Sequence, residues 1–337
     1  MPHFRAFLGR VYAVGLKPDG DTLAFKPNDP AAVLALPDTS GKVGNALFDP
    51  DKNGAVDVRF QGIDALETHY QPNVGDNKPA GASAPVGVSK PSPGNHEQPR
   101  HLARTAANAM LGMLGMDVTD ADWHSFGYLR RVHVGNRVVE DKFQEDVDAF
   151  VVANDVDSNG RVLGWIFPGT APLTEGATLT EEELVPLVKQ SLNGQLAARG
   201  HAYPYFYLTL SSALRGRVAY YAALAQRYRR GLWASDPGTS PLPIATLSDL
   251  HSATLWPYLF RKTLKSWRMD CLEAYWSGGD VSAAALEKVA IEHLFATGNP
   301  YIYLVQEENF VRLSEVLKVE NGTIQLLKKT QDIVFLD

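Results

Sequence analysis

Between Arg10 and Ile63 the chain reverses direction in short steps. "RVYAVGL" and "TLAFKP" flank the turn "KPDGD", and "AVDVRFQGI" follows "DPDKNG". Runs this short, separated by Pro, Gly, Asp and Asn, read as strands of a meander. A second strand region contains "RRVHVGNRVV", "DAFVVAND" and "DSNGRVLGWIF". Its Asn159-Gly160 pair marks a hairpin turn.

Helical stretches lie around these strands. "RHLARTAANAMLGMLG" has Leu102, Ala106, Ala109 and Met110 at helical spacing. "TEEELVPLVKQSLNGQLAARG" reads as one helix, with Thr180 as N-cap and Gly200 as its stop. "SALRGRVAYYAALAQRYRRGLW" reads as another, ending in Arg229 and Arg230, which suit a helix C-terminus. Residues 71–99 are rich in Pro, Gly, Ser and Asn and read as a long mobile loop. "SDPGTSPLP" breaks the pattern, and we place a domain boundary there. Residues 1–236 then form one domain, and residues 237–337 a smaller α+β unit with two or three helical stretches and a hairpin at Asn321-Gly322.

Composition narrows the function classes. The 337 residues carry a formal net charge of −6, which excludes a uniformly basic coat but leaves room for a local basic patch. Cys271 is the only cysteine, so neither an intramolecular disulfide nor a cysteine-based zinc site can form. The nine histidines show no metal-ligand spacing. Arg5 and Arg10 interrupt any apolar N-terminal segment, and no run of about 18 apolar residues is present. We therefore expect a cytoplasmic protein without a membrane span.

Three charged motifs occur in order: "DGDT" with Asp21, "RFQGIDALET" with Arg59, Asp64 and Glu67, and "DSNGR" with Arg161. Carboxylates suit a hard divalent cation. Guanidinium groups suit a phosphate, and a carboxylate near both can accept a proton from water. Strict strand alternation would place Arg59 and Asp64 on opposite faces, so the bend at Gly62 must bring them together.

The order and internal spacing of these motifs resemble the staphylococcal nuclease-like (thermonuclease) family over about residues 8–236. "LVKQSLNGQLAARGHAYPY" and "AQRYRRGLWAS" look like that family's later helical segments. The resemblance implies a five-stranded OB-like β-barrel with three helices, and calcium-dependent nuclease activity on DNA or RNA. It makes Asp21 and Asp64 the Ca²⁺ carboxylates and Ala65 the donor of a backbone carbonyl to the metal. Glu67 becomes the general base, and Arg59 and Arg161 the arginines that grip the phosphate.

From Lys189 to Ser235 there are seven basic residues and no acidic one, with Tyr203, Tyr205, Phe206 and Tyr207 among them. Basic groups mixed with aromatics suit a single-stranded nucleic acid. Tyr205 and Tyr207 are the candidate substrate contacts; a solvated helix face over a buried aromatic core is the competing reading. "DPDKNGAVDVRF" matches the start of an EF-hand loop but ends in Phe60 where a bidentate Glu is required, so it reads as a turn. The alternative to a nuclease is an OB-fold module that binds nucleic acid or protein without catalysis. The C-terminal unit is read as an accessory domain for a protein partner or self-association.

Overall fold

The computed structural model describes residues 3–336, apart from 39, 76, 77, 81, 125, 126 and 171. The chain divides into two compact units. The first comprises residues 1–65 and 101–234, and the second residues 66–100 and 235–337.

Strands of the first unit that bear on the site are β1 (Phe4–Tyr12), β2 (Thr22–Pro27), β3 (Val56–Phe60), β4 (Ile63–Ala65), β5 (Val147–Val156), β6 (Val162–Pro168) and β7 (Ala202–Pro204). β1, β2, β3, β6 and β5 pair in that order, and β5 pairs back onto β1, closing a five-stranded barrel. The β3–β6 pairing is parallel and the others are antiparallel. Closure leaves the barrel strands without a free edge. The register joins Val11 to Phe25, Leu23 to Val58, Phe7 to Val151 and Val151 to Ile166, so these buried side chains share the inner face. The interior is tight. A Cβ on Gly164 would come within 2.8 Å of Val151, and one on Gly9 would meet the Lys26 carbonyl. The alternate residues Thr22, Arg59 and Leu163 face outward.

Three helices of eight or more residues lie in this part of the chain among the described residues: α1 (Arg100–Met113), α2 (Leu192–Arg199) and α3 (Ser212–Arg227). Of the expected α1 face, Ala106 and Met110 are buried, with Ala103, Ala107 and Leu111 beside them, whereas Leu102 and Ala109 are half-buried. The single helix expected over 180–200 is broken. Glu181–Leu184 is α-helical, Val185–Gln190 is a 3₁₀ segment with Pro186 in its first turn, and Ser191 caps α2 through its bond from Gly194 N. Proline lacks the N–H that an unbroken helix would use there. Gly200 ends α2 in the left-handed conformation, as expected.

The second unit centres on α4 (Pro257–Ser277), whose buried residues include Leu259, Phe260, Leu264 and Trp267. The hairpin at Asn321-Gly322 joins Leu317–Glu320 to Thr323–Leu326, with both turn residues at positive φ.

Residues 66–100 group with this second unit, whereas the sequence reading places the loop over 71–99 in the barrel domain. Tyr70 and His96 exchange backbone hydrogen bonds, each 2.8 Å. Gln98 Nε2 donates to the Leu255 carbonyl at 2.6 Å, and Arg268 Nη1 donates to the Pro91 carbonyl at 2.7 Å. His96 Nδ1 meets His251 Nε2 at 2.9 Å. Composition predicted weak self-folding, but it could not show that the ends of the segment are tied to residues beyond 250. Residues 86–90 of the segment are exposed. No helix among the described residues is long and apolar enough to cross a membrane.

Candidate functional site

The "DGDT" and "RFQGID" motifs converge where β2, β3 and β4 meet. The "DGDT" turn delivers Asp21 immediately before β2, and its glycine is required by packing. A Cβ on Gly20 would lie 2.6 Å from the Ala65 Cβ and 2.8 Å from the Ala106 Cβ. Gly62, at φ +81°, breaks the alternation between β3 and β4. The outward-facing Arg59 can therefore reach Asp64, and its Nη2 donates to Asp64 Oδ1 at 2.6 Å. Arg59 Nη1 also donates to Asp21 Oδ1. Asp21 Oδ2 accepts the Ala65 N–H at 2.5 Å, and Thr22 Oγ1 lies 3.3 Å from Asp21 Oδ1. Asp21 is 2% exposed and Asp64 is 0% exposed.

Two buried carboxylates thus share one guanidinium. Their removal from water is costly unless a cation compensates them, and Arg59 supplies one positive charge against two negative ones. The bend at Gly62 meets the geometric condition that the sequence set for this site.

Arg161 immediately precedes β6. Arg59 is in register with Leu163, two residues after Arg161, so Arg161 falls on the same outward side where the strand begins. Its side chain is held by its own hairpin, with Arg161 Nε donating to Asp157 Oδ2 at 2.7 Å. Asp157 Oδ1 accepts from the backbone N–H groups of Asn159 and Arg161, each at 2.9 Å. Gly160, at φ +83°, closes the turn.

Glu67 follows Ala65 by two residues but is part of the second unit. Arg261 Nη1 on α4 donates to Glu67 Oε1 at 2.5 Å. Arg261 was not anticipated, and no local signal could have found it. It lies 194 residues away in sequence, inside a helix with an ordinary pattern of charges.

The tyrosines separate by burial. Tyr203 is buried and packs edge-on against Trp233. Tyr205 and Tyr207 share a side, with rings 5.0 Å apart and hydroxyls 2.8 Å apart, and Tyr207 is 40% exposed. The segment that begins like an EF-hand loop is a 3₁₀ turn over Pro50–Lys52, followed by Asn53 and Gly54 at positive φ. Asp57 there is paired with Lys52.

No protein-family model matches this chain, and no curated protein compared with it matches either.

Proposed function

We propose that the barrel unit is a calcium-dependent nuclease that hydrolyses phosphodiester bonds of DNA or RNA. The observation that carries this reading is the convergence of Asp21, Arg59 and Asp64 at one point on the barrel wall. The strand order, running along the sheet and closing through β5 onto β1, supports an OB-like barrel.

The donor chemistry fits a hard cation. Asp21 and Asp64 are buried oxygen donors beside Arg59, and they would hold the ion with the Ala65 carbonyl. Bound there, calcium would supply positive charge to a phosphoryl oxygen. With calcium sharing the two carboxylates, Arg59 would supply guanidinium donors to the phosphate. Arg161 approaches from the neighbouring strand, and a planar guanidinium can grip phosphate oxygens in pairs. In this reading Glu67 accepts the proton of the attacking water. Tyr205 and Tyr207 offer ring surface to a base.

A specific observation favours the second reading, a nucleic-acid-binding module without catalysis. Arg59, Arg161 and Glu67 each already have an oppositely charged partner. Glu67→Gln separates the two readings. A nuclease loses roughly 10² or more in turnover while keeping its affinity for nucleic acid. Cleavage at the wild-type rate removes Glu67 from the mechanism, and binding without cleavage in the unmodified protein establishes the module.

A further inference from the structure

The outward face of α3 differs from an ordinary solvated helix face. Leu214, Val218, Ala222 and Ala225 are buried on one side of the helix. On the other, Arg217, Tyr220, Tyr221, Leu224 and Arg227 follow one another at helical spacing, and Tyr228 continues the stripe at the C-cap. Tyr220 is 55% exposed and Tyr228 is 60% exposed. A solvated surface normally mixes charges of both signs. Here no acidic residue occurs from Leu184 to Ser235, in a chain whose net charge is −6. Among the described residues, neither Arg217 nor Arg227 is ion-paired with a carboxylate.

The C-terminal ends of α2 and α3 meet through glycine. A Cβ on Gly200 would collide with the Arg230 carbonyl, and one on Gly231 with the Gly200 carbonyl. This approach gathers Arg199, Arg229 and Arg230 at one end of the stripe, where they donate to the neutral acceptors Gln195 Oε1, the Ala234 carbonyl and the Ala198 carbonyl. The guanidinium groups of Arg227 and Arg230 lie 5.9 Å and 5.3 Å from the centre of the Tyr228 ring. Helix C-terminal carbonyls account for arginines at this end. They do not account for Arg217, in the first half of the helix, or for the exposed rings. At the start of α3, Arg215 Nη1 donates to the Leu210 carbonyl at 2.5 Å, which ties the helix to the segment that follows Tyr205 and Tyr207.

We propose that the outward face of α3 is a second contact surface for single-stranded nucleic acid, in which Arg217 and Arg227 hold phosphates and Tyr220 and Tyr228 stack on bases. From Arg217 to Tyr228 the stripe runs about 16 Å along the helix, enough for several nucleotides. Positive charge alone suits any polyanion. The exposed rings among the arginines select unpaired bases, whose faces are open to stacking. In the nuclease reading this surface holds a long substrate whose cleaved bond lies at Asp21, Arg59 and Asp64. That catalytic use rests on the nuclease reading; binding to the surface does not.

The test measures, by fluorescence anisotropy, binding of a labelled oligothymidylate of about 20 nucleotides to the full chain in chelator, between about 50 and 200 mM salt. The double variant Arg217→Gln, Arg227→Gln is expected to bind about tenfold or more weakly at the low-salt end. Its slope of log affinity against log salt should flatten by about 1.4, two phosphate contacts at roughly 0.7 each. The double variant Tyr220→Ala, Tyr228→Ala should lose about fivefold or more in affinity with the slope unchanged, because no charge is removed. Arg217→Lys with Arg227→Lys keeps both charges and is expected to restore the slope. An unchanged affinity and slope in the glutamine variant overturns the proposal, and so does a lysine variant with the flattened slope. An unmodified protein that binds phosphatidylserine vesicles but not the oligonucleotide also overturns it. Binding that responds as expected, in a protein that cleaves nothing in calcium, removes the nuclease reading and keeps this surface.

Discussion

At the scale of single residues, Arg59 is the point on which the site balances. Its side chain is 14% exposed and serves two carboxylates that are 3% and 0% exposed. Arg59→Ala removes the guanidinium that donates to both, and we expect a loss of about 3–5 kcal/mol in urea unfolding. Calcium should restore part of that loss if Asp21 and Asp64 are metal ligands, because a divalent cation then replaces the missing positive charge. A variant as stable as the unmodified protein without calcium would show that the cluster is solvated. The sequence already offered these residues as a set, because Asp21 lies in one local motif and Arg59 and Asp64 flank the bend at Gly62 in a second. It did not show that Arg59 would join the two acids, since the strand pairing that brings Asp21 beside Arg59 is a tertiary fact.

At the scale of elements, the 66–100 segment carries the main lesson. Its composition lacks the means to fold alone, which made a mobile loop the natural expectation. What orders its ends is a set of partners on residues beyond 250, including a histidine pair. His96 Nε2 lies 2.8 Å from the Pro93 carbonyl, so that nitrogen carries the proton, and Nδ1 accepts from His251 Nε2. Burial holds both histidines below the ordinary value of 6.5. Glu287 and Glu97 pull His251 partly back up, and His251 itself opposes a charge on His96. Folded-state values below the unfolded value mean that this stabilisation is present above about pH 6.5 and is lost as pH falls through the lowered folded values. The urea midpoint of the unmodified protein should therefore drop between pH 7.5 and pH 5.5, more steeply than that of His96→Gln. Equal slopes would show that the pair does not link protonation to folding.

At the scale of the whole molecule, the expected boundary near residue 236 lies close to the observed end of the first unit at Ala234. The discontinuous second unit was not legible, because its 66–100 part lies between two pieces of the barrel unit in sequence. The strands were more legible, since strand length and turn residues are local properties, whereas closure into a barrel was expected only from the family resemblance. A chain ending at residue 236 retains Leu66, His96 and Gln98, which are buried in the full protein, without their partners. We expect it to aggregate. Replacing residues 66–100 of that shortened chain with about six Gly and Ser residues should restore solubility. Ala65 and Ala106 both pack at Gly20, and roughly 3.3–3.6 Å per extended residue lets such a linker reach α1. Equal solubility of the two shortened chains would contradict the assignment of this segment.

The central claim is that Asp21, Arg59 and Asp64 form a metal-dependent phosphodiesterase site. The most direct test is incubation of the full chain with single- and double-stranded DNA and RNA, in calcium or in chelator. The account predicts cleavage of at least one substrate in calcium, its loss in chelator, and its loss in Asp64→Asn with calcium present. No cleavage of any substrate in calcium, or cleavage that persists equally in chelator, would contradict it.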